Sequence, residues 1–173
     1  LPTNSTAYVI VGGLAVATDN WISLTNAYEA AKSATPHGSP LLTGNRFTIF
    51  LLPGVYDGGA NTLNLNADYI DLIGLSTHTG LMAPLIAGGS STNDHGDTIL
   101  QGSGVVLSTP ASVSAAQDDK MIANLMLFST GGITFSPGAG GTGDRFQMRN
   151  VLIKRNANAT SQASMADVVY RGY

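Results

Sequence analysis

Cysteine is absent from the 173 residues. Disulfides, thiolate chemistry and any Cys-based zinc site are therefore excluded. Charge is also scarce: Asp, Glu, Lys and Arg make up 11% of the chain, against about 25% in an average domain. With a net charge of −3, the chain lacks the basic footprint of a nucleic-acid binder. No apolar run reaches the length of a membrane span, so no span is expected. Charge is unevenly divided. Residues 1–100 carry two bases against seven acids, and residues 101–173 carry six bases against four acids, giving −5 and +2. What remains is apolar and small-polar: 43% of residues are hydrophobic, and 21 are glycine. A chain of this size buries roughly 70% of its unfolded surface, so one domain with a real core is expected. The low Lys content, the lack of Cys and the abundance of Ser, Thr, Asn and Gly suit an extracellular or virion surface. The chain begins with Leu1, which suggests processing or excision from a longer polypeptide.

One stretch carries a helix signal. From Ser23 the chain reads SLTNAYEAAKSA, with Leu24, Ala27, Tyr28 and Ala31 at helical spacing. Ser23 is the expected N-cap, and Pro36 ends the segment. Before it stands one strand-like run, Tyr8-Val9-Ile10-Val11, closed by Gly12-Gly13. After residue 45 the pattern changes to short apolar runs between glycine-rich turns. Strands are expected at 47–52, 61–65, 69–75, 98–101, 105–108, 121–128, 132–135, 146–154 and 167–171. No second helical pattern separates them, which argues against a βαβ fold.

A loose internal repeat organises these runs. Aligned on asparagine, Ile122, Asn124, Leu125 and Leu127 match Met148, Asn150, Val151 and Ile153 at an offset of 26 residues. The DLIG ending at Gly74 and the ILQG ending at Gly102 lie 28 apart. Periods of this size, with two or three strands each, are the signature of stacked coils. The expected fold is thus all-β: a short right-handed parallel β-helix, a solenoid, with an N-terminal capping α-helix. Residues 1–45 would form the strand and cap, and 46–173 the coils, all in one domain. Asn124 and Asn150 are the expected structural ladder, each at a turn where its amide bonds backbone of its own and the adjacent coil. A β-sandwich such as a jelly roll also shows many short strands, but its turns should recur every 8–12 residues.

Three segments carry a family likeness: the helix SLTNAYEAAKSA, then RFTIFLLPGVYDGG, then LNLNADYIDLIGLS. Together, residues 21–76 resemble the N-terminal part of pectinesterases and related pectin-lyase-like proteins. Pro53, Gly54 and Tyr56 match that family's corner motif, and Ile70, Leu72 and Gly74 match its next strand. The resemblance implies the β-helix fold and a helix capping the first coil. It implies no reaction, because the family's catalytic motifs, of the kind Tyr-Gln-Asp-Thr and Asp-Phe-Ile-Phe-Gly, do not occur. Gln101, Gln117, Gln147 and Gln162 all stand in other contexts. No catalytic residue is carried over and no cofactor is expected.

Other polar clusters are thin. Asp94, His95 and Asp97 are the only candidates for a divalent cation, which takes carboxylate oxygens; a solvated loop also explains them. Asp118-Asp119-Lys120 reads as a polar turn before a strand. In the first coil strand Phe47, Ile49 and Leu51 should face inward. Phe50 and Leu52 should face outward, beneath the Leu24/Ala27/Tyr28/Ala31 face of the helix. The functional expectation is a non-catalytic structural or interaction module of a virion surface, tail spike or extracellular assembly. Self-association would cover its strand edges, and a trimer is the expected order, by analogy with viral β-helices. The alternatives are the N-terminal part of a polysaccharide-active esterase or lyase, or a carbohydrate-binding module with a polysaccharide as partner.

Overall fold

The computed structural model describes residues 6–75, 97–103, 106–109, 119–129, 134–135, 145–155 and 168–171. Strand β1 (Tyr8–Val11) leads through Gly12 and Gly13 to helix α1 (Ala17–Ala31) and a single 3-10 turn at Pro36–Gly38. Then come β2 (Phe47–Leu51), β3 (Gly54–Asp57), β4 (Leu63–Asn64), β5 (Ile70–Gly74), β6 (Thr98–Gly102) and β7 (Leu107–Thr109). The last are β8 (Asp119–Ser129), β9 (Thr134–Phe135), β10 (Arg145–Arg155) and β11 (Val168–Arg171).

Every named strand pair is parallel. The main sheet has eight strands. Its path runs β1-β2-β5-β8-β10-β11, with β6 joined to β8 and β3 joined to β6. A second sheet of three strands runs β4-β7-β9. Register holds like residues in rows. Val9, Ile49, Leu72, Ile122 and Met148 lie side by side across five strands. Tyr56, Leu100 and Leu127 form a second row across three. Ile49, Leu72, Leu100, Ile122 and Leu127 have no accessible surface. Burying each stabilises the fold by roughly 1.5–3 kcal/mol relative to exposure. The alternation follows strand geometry: in β2, Phe47, Ile49 and Leu51 are buried while Thr48 and Phe50 are half-buried.

The expectation of a closed right-handed β-helix is corrected by this connectivity. Among the described residues no closed solenoid is found; the strands form a branched parallel sheet beside a separate small one. The branch has a local cause. Asn124 has φ 54 in the middle of β8. Up to Ala123 the strand pairs with β5, and from Met126 it pairs with β6. One left-handed residue turns the strand without ending it. The turn expected at Asn124 is thus a bend within one hydrogen-bonded strand. The inward positions, Ile122, Leu125 and Leu127, are three apart across Asn124 and two apart after it. Asn150 does the same in β10, at φ 52.

The helix also departs from expectation. It begins at Ala17, six residues before Ser23, and its N-cap Val16 makes no side-chain cap bond. Asn20 anchors that end instead. Its Oδ1 accepts from Leu14 N (2.9 Å), and its Nδ2 donates to Leu14 O (3.2 Å) and to Val55 O in β3 (2.9 Å). Trp21, Leu24, Tyr28 and Ala31 form the buried stripe and join the cluster that contains Ile49 and Leu51. The helix therefore covers the interior side of β2, not the outward Phe50. Phe50 is met by the Tyr8 ring, edge-on at 5.9 Å. Pro53, Gly54 and Tyr56 are expected at a corner, whereas Gly54–Asp57 pairs with β6 along its length.

Candidate functional site

The motif residues of the first coil are packing elements. Tyr56 is fully buried, and its hydroxyl lies 3.0 Å from Val11 O and 2.9 Å from Leu52 O. A Cβ on Gly12 would stand 1.8 Å from that hydroxyl, so the close approach of β1 to Tyr56 requires glycine. Pro53 precedes β3, and Gly54 N donates to Asp97 O at 2.8 Å. Gly74 is the second constrained glycine. A Cβ there would fall 2.0 Å from Asn124 O, so the end of β5 is shaped to receive the bend of β8. Gly102 ends β6 beside the carbonyl of Gly59.

Asn124 and Asn150 are brought together. Asn150 Nδ2 donates to Asn124 Oδ1 at 3.0 Å. Their neighbours pair on both sides, Arg149 with Ala123 and Val151 with Leu125. The two left-handed residues thus stack one above the other, and the 26-residue offset is the register of β8 against β10. Asparagine tolerates this backbone conformation better than most side chains.

A charged cluster that sequence reading missed lies at the leading ends of β2, β5 and β8. Arg46 grips Asp71 with two bonds, Nε to Oδ2 at 2.7 Å and Nη2 to Oδ1 at 2.5 Å. Asp71 Oδ1 also accepts Met121 N at 3.0 Å, so one carboxylate joins three strands. The Arg46 guanidinium lies 5.8 Å from the Tyr69 ring centre, and Tyr69 is itself left-handed at φ 62. Beside them Lys120 Nζ stands 3.6 Å from Asp68 Oδ1. Asp119 and Lys120, expected in a polar turn, belong to β8, and Lys120 is 4% exposed. The available signal was spacing: Arg46 and Asp71 are 25 residues apart, close to the 23-residue register of β2 on β5. Bidentate pairs of this kind are strong and directional, and this one staples rows together.

Two buried phenols complete the interior chemistry. Burial pushes the ionisation of Tyr28 and Tyr56 upward from the ordinary value of 10.0. Tyr28 also accepts Ala67 N on its hydroxyl at 3.1 Å, which ties the helix to the turn before β5. On the opposite face of the main sheet, Asp57, Gln101 and Phe128 follow one another across β3, β6 and β8. Gln101 Nε2 donates to Asp57 Oδ2 at 2.9 Å.

Of the cation candidates, Asp94 and His95 lie outside the described residues, and Asp97 is buried just before β6. Among the described residues no group of three His, Cys, Asp or Glu side chains is placed to hold a metal ion. Likewise, no helix there is long and apolar enough to cross a membrane.

The remaining feature is a surface. Tyr8, Ile10, Leu14, Val16 and Ile22 are each 50–55% exposed. They come from β1, the turn after it and the start of α1. Comparison with protein families, with curated proteins and with solved structures finds no match for this chain.

Proposed function

We propose that the chain is a non-catalytic structural and interaction module of an extracellular or virion-surface assembly, and that it self-associates. The observation that carries this reading is the run of half-exposed apolar side chains Tyr8, Ile10, Leu14, Val16 and Ile22 in β1, the turn after it and the start of α1. Exposed apolar side chains concentrated in one segment favour an interaction surface. The polar side chains support the same reading, since their bonds run between strands. Arg46 and Asp71 join β2, β5 and β8; Asn124 and Asn150 join β8 and β10; Asn20 joins α1 to β3. Light scattering on residues 1–173 tests it. A defined multimer at micromolar concentration is expected, and a monomer at every concentration refutes self-association.

A second reading, a carbohydrate-binding module, is favoured by one observation. Asp57, Gln101 and Phe128 place an acid, an amide and an aromatic ring in one row outside the core. Such groups bind sugar hydroxyls and stack on sugar rings. Retardation by a soluble polysaccharide in affinity electrophoresis, lost in Gln101→Ala and Phe128→Ala, is the expected result. Equal mobility of wild type and both variants sinks it.

A further inference from the structure

Strand β1 ends the main sheet, and among the described residues it is paired on one side only, with β2. The direction of its backbone groups follows from two bonds. Thr48 N takes Ala7 O, and Leu52 N takes Val11 O. Odd-numbered residues of β1 therefore bond to β2. The N–H and C=O groups of Tyr8 and Ile10 point to the open edge, because successive residues of a strand alternate sides. The same two residues carry the exposed side chains, 55% for Tyr8 and 52% for Ile10. They sit symmetrically about Val9.

We infer that β1 is a twofold dimerisation seam whose occupant is the β1 strand of a second copy of this chain. This deepens the module reading and rests on it. A twofold axis at Val9 runs the two strands antiparallel, and each then offers the other what it needs. Tyr8 of one copy opposes Ile10 of its partner, and the two exchange both backbone bonds. The same happens at Ile10 and the partner's Tyr8, as an isologous contact requires. Both side-chain pairs are aromatic against β-branched, a favourable cross-strand combination. Nothing on the strand prevents the pairing. Edge strands are usually guarded by lysine, proline or a bulge, and residues 7–18 contain no charged residue and no proline. A second copy of a chain with net charge −3 thus meets no charge repulsion at this strip.

Tyr8 and Ile10, each about half open, bring about 150 Å² of apolar surface per copy to the seam, taking roughly 150 Å² for a large side chain.

The chain has no cysteine, which makes the test clean. Because the backbone groups of Val9 face β2, the Val9 pair on this axis is of the non-hydrogen-bonded kind, with Cα atoms about 4.5 Å apart, inside disulfide range. Residues 1–173 carrying V9C should form a disulfide-linked dimer under mild oxidation. I10C should do so at least tenfold more slowly, since its own copy lies one diagonal away. I10K should raise the dimer dissociation constant at least tenfold, with an unchanged melting temperature for the dilute monomer. Multimers that persist in I10K and give no V9C bridge overturn the seam and leave the module reading standing. Multimers lost in I10K without a V9C bridge overturn the twofold pairing. A wild-type chain that stays monomeric overturns both readings.

Discussion

The stacked pair Asn124 and Asn150 permits a quantitative test, because two effects at each position can be separated. Each residue has a left-handed backbone, φ 54 and φ 52, and they share one side-chain bond of 3.0 Å. Alanine would remove the bond and add left-handed strain of about 1–2 kcal/mol. Glycine removes the bond with no such strain, at an unfolded-state entropy cost of about 0.5–1 kcal/mol. The informative experiment is a double-mutant cycle in glycine: N124G, N150G and the pair. With the bond contributing about 1 kcal/mol, each single variant should lose about 1.5–2 kcal/mol. The double variant loses the bond only once and should lose about 2–3 kcal/mol, leaving a coupling of about 1 kcal/mol.

Urea titration followed by far-UV circular dichroism, with m held common across the four proteins, gives the four stabilities. N150A should fall about 0.5–1 kcal/mol below N150G, from the difference between strain and entropy. A coupling near zero would refute the side-chain pair as a stabilising element. N150A equal to or more stable than N150G would refute the role assigned to backbone conformation.

Asp71→Asn removes the carboxylate charge that Arg46 grips with two bonds. Removing one member of a buried pair costs about 3–5 kcal/mol, and because the Arg46 side chain is 24% exposed the loss should be nearer about 2–3 kcal/mol, read as a shifted urea midpoint. Gly74→Ala places a Cβ against the Asn124 carbonyl, 2.0 Å away. It should destabilise by about 3 kcal/mol or more, and a midpoint within error of wild type would deny that contact. Alkaline unfolding should begin above about pH 10. Tyr28 and Tyr56 have raised folded values, so the stability they contribute is fully present below the unfolded value and declines as pH rises past it. The decline is about 1.4 kcal/mol per pH unit per tyrosine; Tyr28→Phe should roughly halve the slope, and an unchanged slope would contradict this assignment.

What was legible in the sequence is what register writes into it. The offset of 26 between Asn124 and Asn150 is the pairing of β8 with β10. The alternation of Phe47, Ile49 and Leu51 is the inward face of β2. Closure was not legible, because a repeat records how far apart paired residues are and says nothing of how sheets join at their margins. The start of α1 was misread for a similar reason. Ser23 has the chemistry of a cap, but Asn20 reaches Val55, 35 residues away, and a tertiary bond overrode the local signal. Arg46 and Asp71, 25 residues apart, escape a count of charge by halves of the chain. Their partnership appears only when residues about one period apart are set side by side.

These cases share a cause that bears on function. In a parallel ladder each strand finds its partners tens of residues away, so polar side chains can serve as rivets between distant segments. Asp71 does this for β2, β5 and β8, and Gly74 makes room for Asn124 in the same interval. A row added at the margin needs the same provisions: free backbone groups, matching side chains and no charge in the way. Among the described residues β1 has all three on its open side, and a second copy there would extend the chain's own logic of stacking like rows. The order of assembly thus becomes a question about Tyr8, Val9 and Ile10. Twofold pairing at Val9 closes that seam, because it consumes the β1 edge of both copies at once. Head-to-tail pairing of β1 with β11 would leave one edge free on each new copy and give filaments. A concentration series that saturates at a dimer supports the twofold seam, and continuous growth in mass rejects it.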